Sequence, residues 1–298
     1  MRALWVVAEP QDMADPSSLQ ERLTAARDLA GRLGTEVVVV GGEGIVAEGA
    51  DRLLMLEGGV ESETLVALAQ ERGPQALLLP HTMWGLEAGI TLAQGLGAAL
   101  VTACLYFDGF GHDLRVVRNV CMGKLAQAVA LPDDRPWVMC LLPGAFPPLE
   151  GANPPQAVER AAGVNPAASL VEVLEQSRPE ASTQDIRQAK VLVALGRGVG
   201  GLDFIEQWAQ PLAERLGGAL AASRPAIDAG WLPHDRLVGV SGATVRPRVY
   251  LALGISGASQ HVAGMGGSRC IIAVNRDPRA PIFRYAHYGV VGDAREIA

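Results

Sequence analysis

Gly254-Ile255-Ser256-Gly257-Ala258-Ser259-Gln260-His261 joins the apolar run Val249–Leu253 to a stretch of helical character, and this junction decides the fold of the C-terminal third. Two glycines flank a hydroxyl between a buried strand and the first turn of a helix, whose amides point outward and favour a phosphate. Gln260 and His261 ride on that first turn. The same residues also suit a serine that merely caps a helix, and a histidine that is simply buried or exposed.

Outward from this loop, Lys190–Leu195 is a strand candidate that runs into Gly196-Arg197-Gly198-Val199-Gly200-Gly201. A helix follows, with Phe204, Trp208, Leu212 and Leu216 recurring on one face until Gly217-Gly218 stops it. Ala219–Ser223, Val249–Leu253 and Cys270–Val274 supply further strands. Gly196, Ser223, Gly254 and Asn275 therefore fall at strand carboxyl ends, where open α/β sheets bind ligands. The C-terminal unit reads as Rossmann-like with a parallel sheet.

Gly196, Gly198 and Gly201 match GxGxxG in its required strand-to-helix context, though a ligand-free tight turn explains the same residues. The next strand ends in Ser223-Arg224 rather than in an acid. An arginine there suits a 2′-phosphate, which keeps an NADP-dependent oxidoreductase as an alternative, or another anionic or electron-rich group. Val238-Gly239-Val240-Ser241-Gly242 has turn chemistry and offers amides plus one hydroxyl. No nucleophile triad or paired-carboxylate arrangement stands out, so a cofactor that brings its own chemistry fits better than hydrolysis.

In the N-terminal half, strand candidates Ala3–Ala8, Glu36–Val40, Arg52–Leu56, Ala76–Leu79 and Val101–Leu105 alternate with helical periods. The first helix opens at Pro16-Ser17-Ser18, carries the stripe Leu19, Leu23, Ala26, Ala30 and Leu33, and ends at Gly34. Val60–Arg72 and Leu86–Leu96 fill the later helical slots. Leu114–Val120, Leu125–Leu131 and Pro136–Leu142 follow in quick succession and predict antiparallel additions to the sheet edge. Proline and glycine dominate from Pro143 to Pro155, and Ser169–Leu174 is one more apolar stretch. The expected division is an N-terminal α/β domain over 1–174, a polar linker over 175–188 and the C-terminal domain over 189–298.

Hydrophobic residues are 49% and charged residues 19% of the 298, enough apolar material for two cores. The net charge of −7 without a basic face argues against nucleic acid. The first apolar run is ended by Glu9, too short for an export signal or membrane span, which points to a cytoplasmic protein without an integral membrane segment. Cys104, Cys121, Cys140 and Cys270 are widely spaced and read as reduced thiols, with Cys140 and Cys270 in buried strands. His81, His112, His234, His261 and His287 show no metal-ligand spacing.

From about Val191 to Asp293 the chain resembles the alpha subunit of electron-transfer flavoproteins. The residues that carry the resemblance are Gly196-Arg197-Gly198, Ser223–Trp231, Val238–Gly242, Tyr250–Gly264, Ile272–Asn275, Ala280–Phe283 and Gly289–Asp293. The N-terminal half matches in its pattern of elements and in Arg118 with the small residues after it, implying a nucleotide-hydrolase-like α/β domain. The resemblance implies a heterodimer with a beta subunit, FAD in the alpha C-terminal domain, a donor dehydrogenase and an acceptor such as a membrane quinone oxidoreductase.

Carried over, Arg197, Ser223 and Ser256 would serve the phosphate and ribityl region, and Asn275 and Asp293 the adenosine side. Arg224 would sit against the isoalloxazine, where a fixed positive charge favours added negative charge on the ring. Ser241 would face the flavin N5 and His261 would donate to the pyrimidine carbonyl. Val238, Gly239, Val240, Gly257, Ala258, Ser259 and Gln260 complete the expected lining. The family usually has Gln-Thr at Val240-Ser241, an apolar residue at Ser259, Asp at His287, and a helix beyond Asp293.

Overall fold

The computed structural model describes residues 3–13, 16–121, 123, 125–162 and 185–297. These fall into two compact units, one holding the described residues up to 121 and from 125 to 162, the other those from 185 onward. The stretch Ser169–Leu174 and the linker expected over 175–188 lie outside the described residues up to 184. At the linker's far end, Ile186 packs into the core of the second unit beside Ala189, so that unit's fold already includes it.

In the first unit the order is β1 (Leu4–Val7), α1 (Ser17–Leu33), β2 (Val37–Gly42), β3 (Arg52–Glu57), α2 (Ser62–Arg72), β4 (Ala76–Pro80), α3 (Met83–Leu96), β5 (Ala99–Asp108), β6 (Arg115–Val120), β7 (Leu125–Ala130), β8 (Trp137–Leu141) and β9 (Ala157–Ala162). They make one sheet in the order β7-β6-β5-β8-β4-β1-β2-β3-β9. Successive strand residues face opposite sides. Leu4 and Val6 pack with Leu19 and Leu23 of α1, while Trp5 and Val7 pack with Leu65 of α2 and Leu92 of α3. Because both faces are covered there, the central strands β1, β4 and β8 are apolar throughout. The α1 stripe is buried from Leu19 to Ala30 and partly buried at Leu33, as its spacing predicts, and Gly34 closes the helix at φ 65.

One expectation is corrected and one strand is added. Only β6 and β7 extend the edge as an antiparallel pair; β8 runs parallel between β4 and β5 with all five residues buried. A short gap in sequence does not oblige neighbouring strands to pair, and Trp-Val-Met-Cys-Leu has no polar face to give to solvent. The edge strand β9 had no apolar run to announce it. It pairs with β3, and its Glu159 meets Arg72 at 2.6 Å and Arg52 at 3.5 Å.

β1 and β4 are neighbours whose outgoing connections diverge, and their carboxyl ends carry a buried polar cluster. Arg22 and Asp12 form an ion pair, both side chains almost wholly inaccessible. The Glu9 amide donates to Asp12 Oδ2 at 2.7 Å and Thr82 Oγ1 to Glu9 Oε2 at 2.9 Å. Burial pushes the Asp12 carboxyl up to about 6, against the downward pull of Arg22.

In the second unit the strands are β10 (Val191–Leu195), β11 (Ala219–Ala222), β12 (Val249–Leu253), β13 (Ile271–Asn275) and β14 (Tyr288–Val291). All run parallel in the order β11-β10-β12-β13-β14. This is the Rossmann-like parallel sheet the sequence predicts, with β14 added beyond the expected strands. The helices are α4 (Leu202–Phe204), continuing through a wider turn over Ile205–Ala209 into α5 (Gln210–Arg215), then α6 (Arg224–Asp228), α7 (Ser259–Met265) and α8 (Ala294–Ile297). The wider turn rotates the helix against its sequence periodicity. Phe204, Ile205, Ala209 and Ala213 face the core, whereas Trp208 and Leu216 of the expected stripe are about half exposed.

Candidate functional site

The order β11-β10-β12 places a topological switch point between β10 and β12, because the chain leaves β10 to one side and returns on the other. The loops there are bonded into one cluster. Gly198 N donates to Gly254 O at 3.1 Å, Val238 N to Ala222 O at 2.9 Å, Val240 N to Gln260 O at 2.9 Å and Ile282 N to Ser256 O at 3.0 Å. Gly196, Ser223, Gly254 and Asn275 thus stand at adjoining carboxyl ends of parallel strands, as their positions in sequence predict.

The glycines are explained chiefly by how closely these loops approach. A Cβ on Gly198 would lie 2.8 Å from Gly254 O, and one on Gly254, at φ +64, would lie 2.7 Å from the Gly198 carbonyl carbon. The amides of Gly196, Gly198, Val199 and Gly200 all donate to backbone carbonyls. Four of the six amides of the GxGxxG turn are therefore spent within the protein, which leaves those of Arg197 and Gly201 and makes the turn a poor cradle for a pyrophosphate. Arg224 lies on α6 and bonds Asp228 at 2.7 Å. With the turn closed and this arginine paired, nothing at the site favours the NADP-dependent alternative.

The loop before α7 is different. Among the described residues, the amides of Ser256, Gly257, Ala258, Ser259 and Gln260 have no backbone acceptor. Ser256, Ala258 and Gln260 are exposed, while Gly257 is buried. Gly257, at φ +83, presses against the backbone of Ile282, where any side chain would collide. Arg197 is exposed on the neighbouring loop, with no carboxylate paired to it among the described residues. Clustered N–H donors, a hydroxyl and a free guanidinium fit a phosphate-bearing cofactor.

Several expected site residues have other occupations. His261 is 6% exposed; its Nε2 lies 2.9 Å from the Tyr250 hydroxyl and its Nδ1 3.1 Å from Val238 O. A carbonyl can only accept, so Nδ1 carries the proton and Nε2 accepts from Tyr250. Both ring nitrogens have partners within the chain, where the sequence expectation has His261 donating to a pyrimidine carbonyl; in this structure His261 clamps α7 to the 238–242 loop. Burial pulls its pKa down to about 4, keeping the ring neutral.

In the 238–242 loop, the amides of Val238, Gly239, Val240 and Gly242 all donate within the protein. Of the amides this loop was expected to offer, that of Ser241 is left without a backbone acceptor among the described residues. Val240 and Ser241 remain exposed, and Ser241 brings the hydroxyl. Asn275 donates Nδ2 to Ile255 O at 2.8 Å and accepts from Asp277 N at 3.0 Å. Asp293 pairs with Arg276 and accepts from Arg295 N at 3.0 Å; these contacts hold its carboxyl below the usual range, led by the Arg295 amide. Both residues, expected on the adenosine side, hold loops together in this structure. Ser223 is buried, and its carbonyl caps the first turn of α6 by accepting from Ala226 and Ile227.

Sequence reasoning missed Tyr250. A tyrosine in the middle of a wholly apolar strand signals a buried hydroxyl in need of a partner, and burial pushes its pKa up. The described residues hold no group of His, Cys, Asp or Glu fit for a metal ion, and no helix among them is long and apolar enough to cross a membrane. Cys140 is buried as expected, but Cys270 precedes β13 and is half-exposed.

Residues 185–266 match the family model described as the electron transfer flavoprotein FAD-binding domain, and residues 4–169 the electron transfer flavoprotein domain. The chain is 34% identical to the electron transfer flavoprotein subunit alpha of Clostridium acetobutylicum, over 99% of this chain and 94% of that one. It is 34% identical to a protein named FixB from Clostridium saccharobutylicum, with the same coverage. To the subunit alpha of Mycobacterium leprae it is 35% identical, over 100% of this chain and 96% of the other.

Proposed function

The chain belongs to the electron transfer flavoprotein alpha-subunit family, and on that premise we propose that it carries FAD across the carboxyl ends of β10 to β13. The observation that carries this placement is the run of unspent amides from Ser256 to Gln260 beside the unpaired Arg197. The Ser256–Gln260 amides and Arg197 bind the pyrophosphate, and Ser223 and Ser256 lie on the ribityl side. Ser241 and Arg224 face the isoalloxazine. The Arg224–Asp228 pair is solvent-exposed on both sides, so exchanging it for a ring contact costs little.

FAD, when bound, supplies the electron-accepting ring. The chain's own part is to hold the cofactor and to set the charge around it: Arg224 as a fixed cation, Ser241 as a hydroxyl. His261, neutral and buried, fixes the distance between α7 and the 238–242 loop. In the cell the chain works as a cytoplasmic heterodimer with a beta subunit, taking electrons from a donor dehydrogenase and passing them to an acceptor such as a quinone oxidoreductase. No substrate pocket of its own is required.

Co-expression with a beta subunit of the same family, purification and an absorption spectrum test the proposal. Flavin bands at about one FAD per chain at this site support it, and a colourless complex refutes it. Ser256→Pro removes an amide from the middle of the unspent run and distorts the loop, so it loses FAD. Stoichiometric FAD in that variant would refute the placement.

A further inference from the structure

The opposite end of the second sheet carries a separate site. Arg248, Cys270 and His287 immediately precede β12, β13 and β14, so strands of roughly 16 Å separate them from the carboxyl-end loops. With Arg269 and Tyr288 they line a cleft of about 390 Å³, within the usual size of small-molecule sites.

The floor of the cleft is rigid. Arg269 N donates to Pro247 O at 3.0 Å, Tyr250 N to Cys270 O at 2.8 Å and His287 N to Ile271 O at 2.8 Å. Ile271 N in turn donates to His287 Nδ1 at 2.9 Å. An imidazole nitrogen that accepts from an amide has no proton, so neutral His287 carries its proton on Nε2 and is a donor there. The ring's orientation is set by the β13 backbone.

The charges are unbalanced. Among the described residues, no carboxylate is paired with Arg248 or Arg269, whereas Arg27, Arg52, Arg72, Arg276 and Arg295 each have at least one. No acidic residue lines the cleft. In a chain with a net charge of −7, two arginines with no carboxylate partner among the described residues and an oriented imidazole line one concavity.

We propose that this cleft binds a small multiply charged oxyanion, carrying phosphoryl or carboxylate groups, independently of the flavin. Both guanidiniums bond its oxygens, His287 Nε2 adds a neutral donor, and Tyr288, largely exposed at the rim, gives a surface for the body of the ligand. Two planar guanidiniums suit bidentate oxyanion recognition.

The test is calorimetric titration of the complete complex, saturated with FAD so that the phosphate loop at the other end is filled. Pyrophosphate and citrate are the two probes. Saturable binding of either supports the proposal if Arg248→Gln and Arg269→Gln each weaken it by roughly tenfold or more and leave the flavin spectrum unchanged. Tighter pyrophosphate identifies a phosphorylated ligand, and tighter citrate a polycarboxylate. Both arginines are exposed, so these variants fold. No binding at millimolar probe, or equal binding by wild type and the double variant, overturns the proposal.

Discussion

His261→Gln tests the clamp between α7 and the 238–242 loop. In the folded chain the imidazole titrates at about 4, against 6.5 for an exposed histidine. Between those values the unfolded chain binds a proton that the folded chain refuses. The stability His261 contributes is therefore complete above about pH 6.5 and is lost as pH falls towards 4. Each pH unit in that window removes about 1.4 kcal/mol, so a change from pH 7 to pH 5 removes about 2 kcal/mol. Glutamine does not titrate. At pH 7 the variant is less stable than wild type, because the Tyr250 hydroxyl and Val238 carbonyl lose their partner, a defect of about 1–3 kcal/mol for each buried group left unpaired. At pH 5 the gap narrows by about 2 kcal/mol. Urea unfolding of both proteins at pH 7, 6 and 5, followed by circular dichroism, measures it, and comparing the two cancels every other titrating group. A gap independent of pH would refute the assignment of His261 as a buried neutral clamp.

Asp12→Asn removes one partner of the buried pair and strands Arg22, costing about 3–5 kcal/mol in urea unfolding, whereas Asp12→Asn combined with Arg22→Met recovers most of that loss. Asp12 itself has a raised pKa, so its burial costs stability above about pH 6 and the cost disappears as pH falls towards 3.8; the double variant lacks that dependence. Gly257→Ala forces a side chain into the Ile282 backbone at positive φ, costs roughly 1–3 kcal/mol from the backbone alone, and lowers the FAD content of the purified complex. Arg224→Ala removes only an exposed pair with Asp228, so thermal unfolding stays within about 1 kcal/mol of wild type while a reductive titration shows a more negative flavin potential; an unchanged potential would remove Arg224 from the ring's surroundings.

Local pattern was enough for most of the architecture. Val-Leu-Val-Ala-Leu and Val-Tyr-Leu-Ala-Leu announce buried parallel strands because every residue must face a covered surface, and the glycine or serine after each marks where a loop turns away. Those positions are the ones the fold assembles into the switch point. The trace of β9 was too polar to register, since an edge strand with Glu159 and Arg160 needs no apolar run.

What the sequence determined alone was therefore the alternation of strands and helices, the loops at the carboxyl ends and the family to which they point. The tertiary structure decided where each strand sits and what each polar group is free to do. β8 went to the middle of its sheet because only there are both of its apolar faces covered. His261 and Asn275 became clamps because their partners, Val238, Tyr250 and Ile255, come from segments 11 to 23 residues away. A motif can say that a side chain can donate a hydrogen bond; only the packed loops determine whether that hydrogen is already given away.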